Sequence, residues 1–113
     1  MQDCLFCKIV SGEIAAEIVF RDDHVLAFRD INPQSPVHLI IIPLKHIQSV
    51  VSINTDDFDL MGHLFFAVKE IAERLSLADG FRLVVNCGRN AGQEIQHIHI
   101  HMLGGRAMGW PPG

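Results

Sequence analysis

Three histidines, His97, His99 and His101, alternate with Ile98, Ile100 and Met102 in the segment Gln96–Leu103. On a strand, alternate side chains share a face, so the histidines point one way and the apolar residues point into a core. Same-face neighbours stand roughly 6–7 Å apart, too far to bond each other directly but suited to surrounding one phosphate group. Imidazole near neutral pH is a nucleophile, a proton donor or acceptor, and the commonest metal ligand. The strand alone therefore allows three readings. It is a nucleophilic or phosphate-binding site, a metal-chelating edge that supplies two ligands of an open zinc site, or a strand without chemistry.

Neighbouring residues bear on that choice. Upstream lies a polar, glycine-bearing loop, Gly88-Arg89-Asn90-Ala91-Gly92-Gln93-Glu94. Glycines there let the backbone approach a ligand and aim N–H groups at an anion. Asn86 ends the run before the loop, a natural place for a ligand-facing amide. His38 sits in an apolar run, where a satisfied core histidine accounts for it as well as a site does. No acidic pair suits a two-metal centre. Cys4 and Cys7 stand in C-x-x-C spacing, and with His46 and His97 they make two Cys and two His, the composition of a closed structural zinc site. Taken singly, the cysteines and His46 are ordinary. Cys87 is left without a partner and is read as packing, and His24 and His63 as surface or satisfied residues rather than ligands.

These residues need elements to hold them. Cys4 to Val10 reads as a short helix stopped by Ser11-Gly12. Glu17–Arg21 and Val25–Arg29 read as strands joined at Asp22-Asp23, and Val37–Ile42 as a buried strand ended by Pro43. The clearest helix runs from about Asp56 to Ala78, its apolar face predicted as Phe58, Met61, Phe65, Val68, Ala72 and Leu75. Asn54 or Thr55 suits its cap, Asp56 and Asp57 its positive end, and Gly80 its exit. Phe65 and Phe66 are read as core or dimer packing. Phe81–Cys87 and Gln96–Leu103 complete the strands. The order predicts an α+β fold, an antiparallel sheet of about five strands with one long helix.

The chain has 113 residues, enough for one domain over 1–113 with its own core. Apolar residues make up 49%, without a membrane-length apolar run. The start, Met1-Gln2-Asp3-Cys4, lacks the basic and apolar regions of a signal peptide, so the expectation is a complete, cytoplasmic chain with no membrane partner. Three cysteines in a reducing compartment argue against a disulfide framework. A net charge of −4 argues against a nucleic-acid groove but not against one small nucleotide.

His97–Leu103 matches the His-φ-His-φ-His-φ-φ pattern in full and resembles the histidine triad (HIT) nucleotide-binding hydrolases, in particular the Hint branch. Ala27–Ile31, Pro36–Pro43, Gly92-Gln93-Glu94, Leu103–Arg106 and Trp110-Pro111-Pro112-Gly113 carry the same resemblance. It implies a homodimer with one sheet continued across the two-fold axis. It further implies a purine nucleoside phosphoramidase that cleaves the P–N bond between AMP and an amine. By that resemblance His99 is the nucleophile that becomes adenylylated, with His101, His97 and His38 beside it. Asp30 matches the ribose-binding carboxylate and Ile31 lies beside the base. Asn86, Gly92, Gln93 and Glu94 match phosphate-side positions, with Glu94 standing where some members carry serine. Phe28, Ile31 and Leu39 are expected to form the purine slot. The implied ligands are AMP, GMP or a phosphoramidate, without a catalytic cofactor. Related transferases use the first histidine of the motif as a zinc ligand, which supports structural zinc on Cys4, Cys7, His46 and His97. Trp110 and the tail are expected to reach the partner's site. The same residues also suit a nucleotide-binding scaffold, a dinucleoside polyphosphate hydrolase of the same superfamily, or a metal-dependent hydrolase.

Overall fold

A computed structural model describes residues 3–113; Met1 and Gln2, on which part of the N-terminal reading falls, lie outside the described residues. Helix α1 spans Leu5–Ser11, with Cys4 as its N-cap and Gly12, at φ +86°, closing it in the left-handed region. Strands β1 (Ile18–Arg21), β2 (Val25–Arg29) and β3 (Val37–Pro43) follow, then helix α2 (Phe58–Arg74), β4 (Phe81–Val84) and β5 (Ile100–Gly104). The five strands form one antiparallel sheet in the order β1-β2-β3-β5-β4. This is the α+β architecture read from the sequence.

Alternation along the central strands divides the core in two. Leu39 and Ile41 of β3, with Ile100 and Met102 of β5, join Leu64, Ala67, Val68 and Ile71 of α2 on one face. Ile40 and Ile42 turn to the other face, with Leu26 and Phe28 of β2 and Phe6 and Ile9 of α1. Each fully buried aliphatic side chain contributes about 1.5–3 kcal/mol. The register pairs Ile40 with His101 and Ile41 with Ile100. The histidines of β3 and β5 therefore share the α1 face, while α2 supports the sheet from behind.

Most element ends fall within a residue of the sequence reading, and the larger differences have physical causes. The expected strand Gln96–Leu103 starts only at Ile100. Continuing the register would set Pro43 opposite Ile98, and proline has no N–H for the ladder. Ile98 instead donates to Ile47 O at 2.7 Å. β4 likewise stops at Val84 rather than Cys87. The long helix begins after a 3-10 turn, Thr55–Asp57, capped by Asn54, and ends at Arg74 rather than Ala78. Its exit is made at Ser76, φ +55°, which lets Leu77 bury itself over Gly104. A Cβ at Gly104 would meet Leu77 Cδ2 at 3.0 Å. Finally, Phe58 and Phe65 face outward, and the buried stripe is Leu64, Ala67, Val68, Ile71 and Ala72.

Candidate active site

His99 lies just before β5, buried, with its ring held from two sides. Its Nδ1 donates to the carbonyl of His97 at 2.7 Å, and Phe6 of α1 stands edge-on at 5.1 Å between centroids. A neutral imidazole that donates from Nδ1 carries its lone pair on Nε2. Among the described residues Nε2 of His99 has no hydrogen-bond partner, and His99 lines a cavity of about 500 Å³. A ring with its lone pair fixed on Nε2 thus borders an open volume of nucleotide size.

The same cavity is lined by Asp30, Ile31, His38, Ile40, Asn86, Gly92, Glu94 and His101. Asp30 and Ile31 follow directly on β2, where the Asp30 N–H donates to His38 O at 2.9 Å and carries the chain past β3. Ile31 is 101% exposed, an isoleucine standing free at the cavity wall. His38 Nε2 and His101 Nδ1 approach to 2.9 Å, and His38 Nε2 lies 3.4 Å from Asp30 Oδ2. Burial holds both His38 and His101 below the ordinary histidine range, opposed in part by the Asp30 carboxylate. Both rings are neutral at pH 7.

Several expected residues are placed elsewhere. Phe28 is buried behind Phe6, 5.5 Å between centroids, and does not line the cavity. Leu39 belongs to the α2 face, because β3 alternates, and Ile40 takes the apolar place expected of it. Gln93 is buried as a brace: its side chain accepts from Gly88 N and donates to Gln48 O and Ile95 O. The loop N–H groups of Gly88, Ala91, Gly92 and Gln93 are used within the loop. Among the described residues the Glu94 N–H is uncommitted, and it belongs to a cavity-lining residue. Leu5 and Phe6, supplied by α1, escaped the sequence reading. The C-x-x-C pairing with His97 was the signal that α1 lies against the histidine segment.

His97 leaves the triad altogether. Fully buried, it lines no part of the cavity and joins Cys4, Cys7 and His46, whose ligand atoms all lie within 4.8 Å of one another. Sγ of Cys4 is 3.2 Å from His97 Nδ1, and Sγ of Cys7 is 3.3 Å from His46 Nδ1 and 3.6 Å from His97 Nδ1. Sulfur and nitrogen on one tetrahedral zinc stand roughly 3.6 Å apart, from ordinary Zn–S and Zn–N lengths. The donor set and its spacing fit that ion. Nε2 of His97 donates to Pro43 O at 2.9 Å, which leaves Nδ1 as the ligand atom, the outer-shell bond that metal-bound histidines generally make. Burial is the main cause that lowers His97 to about 4, so its ring is neutral at pH 7. Burial, then the adjoining Cys4 sulfur, raises Cys7 above the ordinary thiol range, so a cation binding here displaces protons.

Fold and site define a small α+β protein whose sheet brings histidines to the wall of a nucleotide-sized cavity. A family model of the HIT domain matches residues 11–108. A HIT family hydrolase from Legionella pneumophila is similar with TM-score 0.96 and 52% identity, over 98% of this chain and 100% of that one. An uncharacterised HIT-like protein of Synechocystis is 47% identical over 112 residues, 99% of this chain and 98% of that protein. The Arabidopsis thaliana protein named adenylylsulfatase HINT1 is 45% identical over 111 residues, 96% of this chain and 76% of that protein. The chain belongs to the HIT family, and it is HINT-like.

Proposed function

We propose that this protein is a purine nucleoside phosphoramidate hydrolase that works through a His99–AMP intermediate. The observation that carries the reading is the 2.7 Å bond from His99 Nδ1 to His97 O, which leaves Nε2 as the lone-pair nitrogen in the cavity. Nε2 attacks the α-phosphorus, and the P–N bond to the amine breaks as the bond to His99 forms. Water then displaces the imidazole and releases AMP. His101 donates to a non-bridging phosphate oxygen, with the Glu94 N–H as a second donor, where negative charge develops. Asp30 takes the ribose hydroxyls, and Ile31 and Ile40 flank the purine.

Zinc on Cys4, Cys7, His46 and His97 is part of the proposal as a structural ion. When bound, it cross-links the start of α1 to the residue whose carbonyl orients His99. A homodimer and a cytoplasmic location complete the reading.

The name of the Arabidopsis relative favours a second substrate, adenylyl sulfate. A second cavity, of about 440 Å³, shares Leu5, Glu94 and Ile95 with the first and adds Asp3, Gln48 and Gln96. Two carboxylates on that side suit a departing amine better than a departing sulfate.

The test is intact mass of wild type and His99→Gly after a brief, quenched exposure to an adenosine 5′-phosphoramidate, with AMP release followed in parallel. Wild type gains an AMP-sized mass transiently, and the variant loses both adduct and turnover. AMP release by the variant at the wild-type rate overturns the covalent route. Parallel assays with adenylyl sulfate and a diadenosine polyphosphate rank the leaving groups, and tight AMP binding without turnover of any of them supports the scaffold instead.

A further inference from the structure

His38 sits where its partners dictate the position of each proton. The backbone N–H of Gln34 donates to His38 Nδ1 at 3.0 Å. An amide N–H can only donate, so Nδ1 carries a lone pair and the single proton of neutral His38 is on Nε2. That nitrogen is at hydrogen-bond geometry with His101 Nδ1 at 2.9 Å, and Asp30 Oδ2 stands beside it at 3.4 Å as the competing acceptor. When the N–H goes to His101, the His101 proton is confined to Nε2, the nitrogen left for a ligand. When it turns to Asp30, that constraint is lifted and either His101 tautomer is open. The three side chains also offer ligand atoms within 4.8 Å. The 2.9 Å between the two nitrogens, however, is hydrogen-bond length, shorter than the roughly 3.3 Å between nitrogens on a tetrahedral zinc.

Asp30 is where a ligand enters this chain of bonds. Its Oδ1 accepts the Asn32 N–H at 2.8 Å, which leaves Oδ2 for a hydroxyl donor from the cavity. A sugar hydroxyl bonded to Oδ2 competes with the His38 N–H for that oxygen. We propose that sugar recognition sets the tautomer of the phosphate-side histidine: a hydroxyl on Asp30 directs the His38 N–H to His101 and holds His101 as an Nε2–H donor. No proton is gained or lost; one is moved between the two nitrogens of His101. The inference rests on reading the cavity as a nucleotide site. Asp30 and His38 are then positioning residues that act through His101, and the sugar contributes to rate as well as to affinity.

Long-range ¹H–¹⁵N spectra of the imidazoles test this directly on the full chain, with His101 assigned through His101→Gln. Free protein gives His101 nitrogen shifts averaged between tautomers. Saturating AMP moves them to the Nε2–H pattern, and saturating 2′,3′-dideoxy-AMP does not. Identical His101 shifts with the two nucleotides, or a free protein already fully Nε2–H, overturn the proposal. Kinetics give an independent arm. Removing both hydroxyls from an adenosine phosphoramidate lowers kcat by about tenfold, a part of what a positioned donor supplies, besides raising KM. In Asp30→Asn the same deletion leaves kcat nearly unaffected. A deletion effect confined to KM overturns the coupling. Absence of turnover with every phosphoramidate counts against the proposed hydrolase, while the AMP spectra still decide the coupling.

Discussion

His97, His99 and His101 are separated by single residues, and their partners make them different tools. His99 donates from Nδ1 to a carbonyl, His101 faces His38 through Nδ1, and His97 turns its Nδ1 to the cysteines. The sequence reading put all three on one face and also named His97 beside Cys4, Cys7 and His46; because the strand begins only at Ile100, His97 takes the second of those two places. Ile31 is the clearest single-residue test of the cavity. A free-standing isoleucine contributes little to the fold, so Ile31→Ala should leave the melting temperature and kcat unchanged and raise KM roughly tenfold, the worth of the apolar area a purine covers. Unchanged KM counts against a base at that wall.

Burial of the paired rings makes a second residue-scale prediction. His38 and His101 are held below 6.5 in the folded protein, chiefly by desolvation. The unfolded chain therefore binds more protons than the folded one once the pH falls to about 6.5 and below, and stability falls with it. The groups facing the pair are Asp30, which opposes the shift, and His99, which adds to it at His101. The urea midpoint should drop between pH 7.5 and 5.0, and His38→Gln should drop less steeply. Equal slopes in the two proteins place the lost stability in other groups.

Among the elements, β3 was the most legible, because an apolar run broken by one histidine admits few readings. Only its alternation, set by pairing with β5, sends Leu39 to α2 and Ile40 to the cavity. Leu39→Ala should cost about 2–5 kcal/mol in chemical unfolding, the usual range for a large-to-small change in a packed core. The face of α2 was misread at Phe58 and Phe65, while Met61, Val68, Ala72 and Leu75 do meet the core, and the reason is physical. Apolar residues cover more than half of its circumference, so the periodicity fits two stripes, and only contact with the sheet selects the one centred on Leu64, Val68 and Ile71. Helix α1 has only seven residues, too short to hold itself, and it carries Phe6 against His97 and His99. The proposed zinc at its N-cap would supply what the helix lacks. The purified protein should contain one zinc per chain by elemental analysis. Chelation or Cys7→Ser should lower the melting temperature by more than about 5 °C, a conversion of roughly 1 kcal/mol or more for a domain of this size. A metal-free preparation with an unchanged Cys7→Ser melting curve counts against the site.

At the scale of the whole molecule, phenylalanines read from the sequence as core or dimer packing reappear as a surface. Phe58, Phe65 and Phe66 of α2 are 68%, 60% and 54% exposed, and Phe81 and Val85 lie exposed at β4, an edge strand of the sheet. An edge strand of four residues beside exposed aromatics invites pairing with another copy of itself, and such pairing carries the sheet across a two-fold axis. Trp110 is also exposed, on a tail tied to β4 by the 2.7 Å bond from Arg82 Nη2 to Gly109 O. A tail anchored at that edge lies beside the proposed axis, where it can approach the partner's cavity. Light scattering after gel filtration should give twice the 12.6 kDa chain mass for wild type at micromolar concentration. Phe65→Glu with Phe66→Glu should give the single-chain mass with the far-ultraviolet spectrum retained, since neither side chain belongs to the buried stripe. Deleting Trp110–Gly113 should keep the doubled mass and change the order of preference among leaving groups. A wild type that runs at the single-chain mass refutes the pairing and leaves those phenylalanines for another partner.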